Sequence, residues 1–89
     1  MSEKIPMKKS ELWKRLSDNE GVVVDTVRAV EHTLNDTAMR IFELCDGEST
    51  ISDIARKITE EYEVDFEKSQ QDVAKCIAKL EELNIVTYE

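Results

Sequence analysis

The stretch HTLNDTAMRIFELCDGESTISDIARKI, His32 to Ile58, decides how this chain is read, because its apolar period changes within a few residues. Before it, AVEHTL alternates, with Val30, His32 and Leu34 on one face and Ala29, Glu31 and Thr33 on the other, as a half-buried strand does. From Asn35 the spacing becomes helical. Ala38, Ile41, Phe42 and Cys45 form one stripe, Asn35 or Asp36 can cap its start, and Gly47 follows where a left-handed terminator is wanted. STISD then opens a second helix, with Ser49 or Thr50 as cap and Asp53 three residues after Thr50. Its buried stripe is Ile51, Ile54, Ala55, Ile58 and Tyr62.

Outward from there the pattern continues in both directions. Asp65 caps a third and longest helix whose apolar side is Phe66, Ser69, Val73, Cys76, Ile77, Leu80 and Leu83. NIVTYE closes the chain as an extended piece. On the N-terminal side GVVVD, Gly21 to Asp25, is a β-branched strand, and ELWKRL is a weaker third one. The link DTVR is short enough for a hairpin, though it lacks the Asn-Gly pair that marks one. Residues 1–10 are mixed polar, hold the one proline, and read as a loose tail ahead of a single domain over 11–89. The expected fold is α+β and winged-helix-like: a small three-stranded antiparallel sheet followed by a three-helix bundle. Leu34, Ile41, Phe42, Ile54, Ile58, Val73, Ile77 and Leu80 are its expected core.

Composition narrows the function. Eighty-nine residues with a formal charge of −8 leave little room for a deep catalytic cavity and repel phosphate backbones and anionic membranes. No apolar run is long enough to span a bilayer and the start lacks a signal-peptide core, so the expected location is the cytoplasm. Cys45 and Cys76 fall on apolar helical stripes and read as buried free thiols. The one histidine, His32, lies on a strand, and no phosphate loop, catalytic triad or metal-ligand spacing is present; neither catalysis nor a cofactor is expected. A winged-helix DNA-binding regulator is the alternative that the element order suggests. Charge argues against it, since Lys68, Lys75 and Lys79 of the third helix are outnumbered by Glu67, Asp72, Glu81 and Glu82. An edge strand that accepts a peptide as an added strand fits better, AVEHTL being the candidate edge; the same edge can pair with another copy of the chain.

The residues then point to a family. Leu34-Asn35 with Thr37-Ala38, Asp46-Gly47, Thr50 with Ile54 and Ala55, Asp72-Val73 with Leu80, and Leu83-Asn84-Ile85-Val86 together resemble the PqqD family of pyrroloquinoline quinone biosynthesis over roughly Gly21 to Val86. The chain departs from that pattern at Asn84, where the family often has glycine, and in its hairpin, which lacks the glycine common there. The resemblance implies a recognition element that binds the leader segment of a ribosomally made precursor peptide and presents it to a modifying enzyme, often a radical-SAM enzyme. A scaffold that binds only its enzyme is the other partner class to consider. In the family the leader lies as a strand beside the third strand, in a groove walled by the third helix. Carried over, this places peptide contacts at Ala29, Val30, Glu31, His32 and Thr33. On the helix one flank holds Ser69, Asp72, Cys76 and Lys79, the other Gln70, Ala74 and Glu81, and sequence does not say which faces the strand. The first is preferred, because Asp72 matches the family motif and Cys76 leaves a small apolar pocket. Asp72 serving a local surface contact and Cys76 serving the core are the plainer readings of each. An acidic domain should favour leaders carrying Lys or Arg.

Overall fold

The computed structural model describes residues 4–88. In chain order these form β1 (Pro6–Lys8), β2 (Leu12–Ser17), β3 (Glu20–Asp25), β4 (Val30–Asn35), α1 (Asp36–Leu44), α2 (Ile51–Tyr62), α3 (Phe66–Glu82) and β5 (Val86–Tyr88). β2, β3 and β4 make an antiparallel sheet in that order, so β4 has one side paired and the other free. α1 packs on one face of this sheet, and α2 and α3 pack behind α1 and against each other. That is the α+β, winged-helix-like arrangement expected.

Pairing follows the pleat. Val23 lies opposite His32 and Gly21 opposite Leu34, which puts Val30, His32 and Leu34 on the inner face. Gly21 has a packing reason. A Cβ there would lie 2.5 Å from Sδ of Met39, which is fully buried in α1 yet falls outside the apolar stripe read from sequence. Phe42 of α1 meets Trp13 of β2 edge-on, with centroids 5.7 Å apart. The eight residues expected in the core are all buried there, in one cluster with Val23, Met39, Cys45, Ile85 and Val86.

Helix starts obey capping chemistry. Asn35 accepts from the N–H of Ala38, Asp65 from that of Lys68, and Thr50 with Asp53 forms a complete capping box. The ends are less glycine-driven than expected. α1 stops at Leu44, and Gly47 takes its left-handed backbone (φ 78°) later, in the turn that Asp46 organises by accepting from the N–H groups of Glu48 and Ser49. Those bonds hold the Asp46 carboxyl below the usual carboxylate range. α3 ends in a Schellman arrangement: Asn84 is left-handed at φ 64°, Ile85 donates to Leu80, and Asn84 donates to Glu81. Asparagine thus does the work of the family's glycine.

The N-terminal stretch is a correction. Residues 1–3 lie outside the described residues, but Pro6–Lys8 is not loose. It pairs antiparallel with Val86–Tyr88, and Gly47 donates to the carbonyl of Pro6. Lys8 Nζ also donates to the last carbonyls of α1, at Glu43 (2.8 Å) and Cys45 (3.1 Å), groups that a helix end leaves without internal partners. A three-residue strand carries no readable period, and its partner lies at the far end of the chain.

Ala29 is the second correction. It was expected on the edge strand, yet it precedes β4 and closes the hairpin turn with φ 58°. Asp25 stabilises that turn by accepting from the N–H groups of Val27 and Arg28. An alanine held left-handed is strained by about 1–2 kcal/mol. Ala29→Gly should therefore raise unfolding stability by about 0.5–1 kcal/mol after glycine's larger chain entropy is subtracted. A denaturant midpoint that falls instead would show that the turn does not require a left-handed residue.

Candidate functional site

The site is defined by where α3 stands relative to the free edge of β4. Two anchors fix this. At one end Asn84 shares a cavity of about 180 Å³ with Asp25, Val27 and Arg28 of the β3–β4 turn. At the other end Asp72 and Val73 share a cavity of about 290 Å³ with Thr37 and Ile41 of α1, just past the end of β4. α3 therefore has its C-terminal end near the turn that precedes β4 and its N-terminal half near the start of α1, a broadly antiparallel course. The opposite side of α1 meets β2, through Arg15 with Asp36 (3.3 Å) and Glu43 (3.0 Å), so α3 lies on the β4 side of the sheet. α3 packs mainly on α2, α1 and β5, and its contact with β4 is slight.

The two flanks of α3 are used differently. Gln70 donates to Ser52 of α2, and Glu81 lies close enough to Tyr88 of β5 to help raise its phenol, whose main cause is burial. That flank is occupied by its neighbours. Asp72, Cys76, Lys79 and Leu83 lie on the other flank, one turn apart. Asp72 and Lys79 are exposed, each in a local ion pair, with Lys68 (3.4 Å) and Glu82 (3.8 Å) respectively. Such exposed pairs are worth little, so both side chains can be recruited elsewhere. Cys76 is half-buried against the core, and burial pushes its thiol up to about 11. Cys45, deeper still, is pushed up to about 12, mainly by burial. Neither thiol is a nucleophile at neutral pH.

Ser69 does not belong with them. It is 1% exposed and its hydroxyl donates to the carbonyl of Ala55 at 2.8 Å, clamping α3 to α2. Only the apolar stripe, in which Ser69 also sits, carried a signal of that role. On the strand, Val30, Glu31 and Thr33 are exposed and His32 is half-buried. The sequence reading missed the cavity lined by Thr37, Ile41, Tyr62, Val64 and Val73, which forms only when three helices meet.

The profile of the family described as coenzyme PQQ synthesis protein D (PqqD) matches residues 20–86. The chain belongs to the PqqD family. The matched span runs from the first residue of β3 to the start of β5 and so takes in both β4 and α3. This PqqD-family chain is also similar to two solved structures. One is a lasso peptide synthetase B1 complexed with the leader peptide, at 24% identity and a TM-score of 0.75, covering 97% of this chain and 99% of that one. The other is TbiB1 in complex with the TbiA(beta) leader peptide, at 22% identity and a TM-score of 0.73, covering 90% and 94%. At those identities the likeness shows a shared fold. No curated protein matches this PqqD-family chain. Among its described residues no helix is long and apolar enough to cross a membrane, and no group of His, Cys, Asp or Glu is placed to hold a metal ion.

Proposed function

We propose that the chain binds the leader segment of a ribosomally synthesised precursor peptide as a strand added to β4, and presents it to a modifying enzyme. What supports this is the edge position of β4 in the β2-β3-β4 sheet, with Asn84 at the end of α3 near the turn before β4 and Asp72 of α3 near the start of α1 after it. Backbone N–H and C=O groups on such an edge bind any extended chain, and the adjoining helix supplies side-chain selection. Family membership supports the reading, and the two similar structures are both complexes with leader peptides. The enzyme is of the kind that processes such precursors, a radical-SAM enzyme in many members of the family; one similar chain is itself named a lasso peptide synthetase B1. In this reading the chain has no chemistry of its own and works as a cytoplasmic adaptor.

Val30, Glu31, His32 and Thr33 form the strand wall and Asp72, Cys76 and Lys79 the helix wall; Ser69 and Ala29 act behind them, as clamp and turn. DNA recognition is disfavoured because α3 carries Glu67, Asp72, Glu81 and Glu82 against only Lys68, Lys75 and Lys79, leaving no net positive face for phosphates.

Cys76 provides the test. With its thiol raised to about 11 it should react slowly with maleimide at alkaline pH, and buried Cys45 more slowly still. Saturation with the N-terminal segment of a precursor peptide that binds the protein should slow Cys76 modification at least severalfold, read by mass spectrometry. An unchanged rate under a peptide shown to bind would remove α3 as the groove wall.

A further inference from the structure

Among the described residues one buried side-chain nitrogen or oxygen has no hydrogen-bond partner in the protein, Nε2 of His32. Leaving such a group unpaired costs about 1–3 kcal/mol, so its persistence calls for a reason. Its position supplies one. His32 sits mid-strand on the free edge of β4, on the inner face with Val30 and Leu34, across from Val23. We propose that Nε2 of His32 hydrogen-bonds the side chain directly opposite it on the bound strand. Bound segments then carry a hydroxyl or carboxamide at that position, with an apolar residue two places away on each side. The inference rests on the strand-addition reading and adds to it a rule for which peptides are chosen.

The pattern follows from the pleat. A strand added to β4 continues the alternation of the sheet, so its residues opposite Val30, His32 and Leu34 all point to the inner face, with Cβ atoms about 4.5–5.5 Å from their partners. Val30 is 42% exposed and Leu34 is core, so both neighbouring positions favour apolar side chains. The one opposite Leu34 also lies nearest the cavity of Thr37, Ile41 and Tyr62. Only the central position meets a polar atom. Hydroxyl and carboxamide groups both donate and accept, so they satisfy Nε2 whether or not it carries a proton. Reaching the bound strand requires the ring to swing about χ1, because Nε2 lies close to the χ2 axis. The motif reads the same in both directions and holds for parallel or antiparallel addition.

A yeast-displayed library of random short peptides, sorted against the wild-type protein and against His32→Leu, tests this. Wild type should enrich apolar-x-polar-x-apolar segments with Ser, Thr, Asn or Gln at the centre. His32→Leu, checked for folding by circular dichroism, should enrich aliphatic residues there and keep the flanking preference. In one enriched peptide, Thr→Val at the centre should weaken binding to wild type roughly tenfold and strengthen binding to His32→Leu. The ¹⁵N resonance of Nε2 in the wild-type protein should move on binding, a readout that survives even if the variant does not fold. An identical central preference in both proteins, or a stationary Nε2 resonance under bound peptide, overturns the proposal. Failure of the wild-type protein to enrich any peptide would overturn strand addition itself, and this rule with it.

Discussion

Proline placed at one of two adjacent residues of β4 should abolish peptide binding while leaving the fold in place. Along an edge strand alternate N–H groups point to the neighbouring strand and to the open side. Of Glu31 and His32, therefore, one donates to β3 and the other faces the open side. Proline at the outward-facing position removes a donor and leaves a peptide carbonyl unpaired, and its ring obstructs the incoming chain. These effects together should weaken binding by about a hundredfold or more, with unfolding stability changed by no more than about 1 kcal/mol. Proline at the other position breaks the β3–β4 ladder instead and should cost about 3 kcal/mol of stability. His32→Ala serves as the control for loss of the ring. Val30 is a poor site for the experiment, because Ala29 before it is left-handed and a following proline forces extended backbone. Calorimetric titration and thermal unfolding of the two variants read both quantities. Two folded variants that bind like wild type would eliminate β4 as the docking edge.

The largest loss of stability should come from Phe42→Ala. Phe42 is fully buried where α1 meets the sheet, with Trp13 edge-on to its ring and Lys8 Nζ at 5.7 Å from its centroid. Truncation forfeits the transfer term and leaves a cavity, a combined cost of about 3–5 kcal/mol. Small domains are stable by only about 5–15 kcal/mol, so the melting temperature should fall by about 15–30 °C. Val27→Ala at the hairpin tip, where the side chain is 93% exposed, should stay within about 0.5 kcal/mol of wild type. A Phe42→Ala protein that melts within a few degrees of wild type would mean that the α1–sheet contact is not where the core is concentrated.

What sequence could and could not reveal follows from the range of the forces involved. Helix periods and caps are local, so Thr50 with Asp53, and Asp65 ahead of Phe66, were legible in the sequence. Pro6–Lys8 was not, since its pairing with Val86–Tyr88 is set by an element at the far end of the chain. Met39 breaks the apolar stripe of α1 on paper and is buried because Gly21, on another strand, leaves room for it. The site divides in the same way. Val30 to Thr33 could be placed from alternation, and Asp72, Cys76 and Lys79 share a flank by helical spacing alone. Ser69 shares that spacing but lies on the inner margin of the flank, where the carbonyl of Ala55 takes its hydroxyl. Ala29 also obeyed the alternation, yet the turn claimed it.

The account stands or falls on where a peptide lands. Isotope-labelled protein titrated with the leader segment of a precursor peptide that binds it, and followed through backbone amide shifts, gives the most direct answer. The account expects the largest shifts along β4 from Val30 to Asn35 and on the α3 flank at Asp72, Cys76 and Lys79, with the amides of Gln70 and Ala74 less affected. Shifts concentrated instead on α2, or on the outer face of the sheet at Leu12 and Leu16, would contradict it.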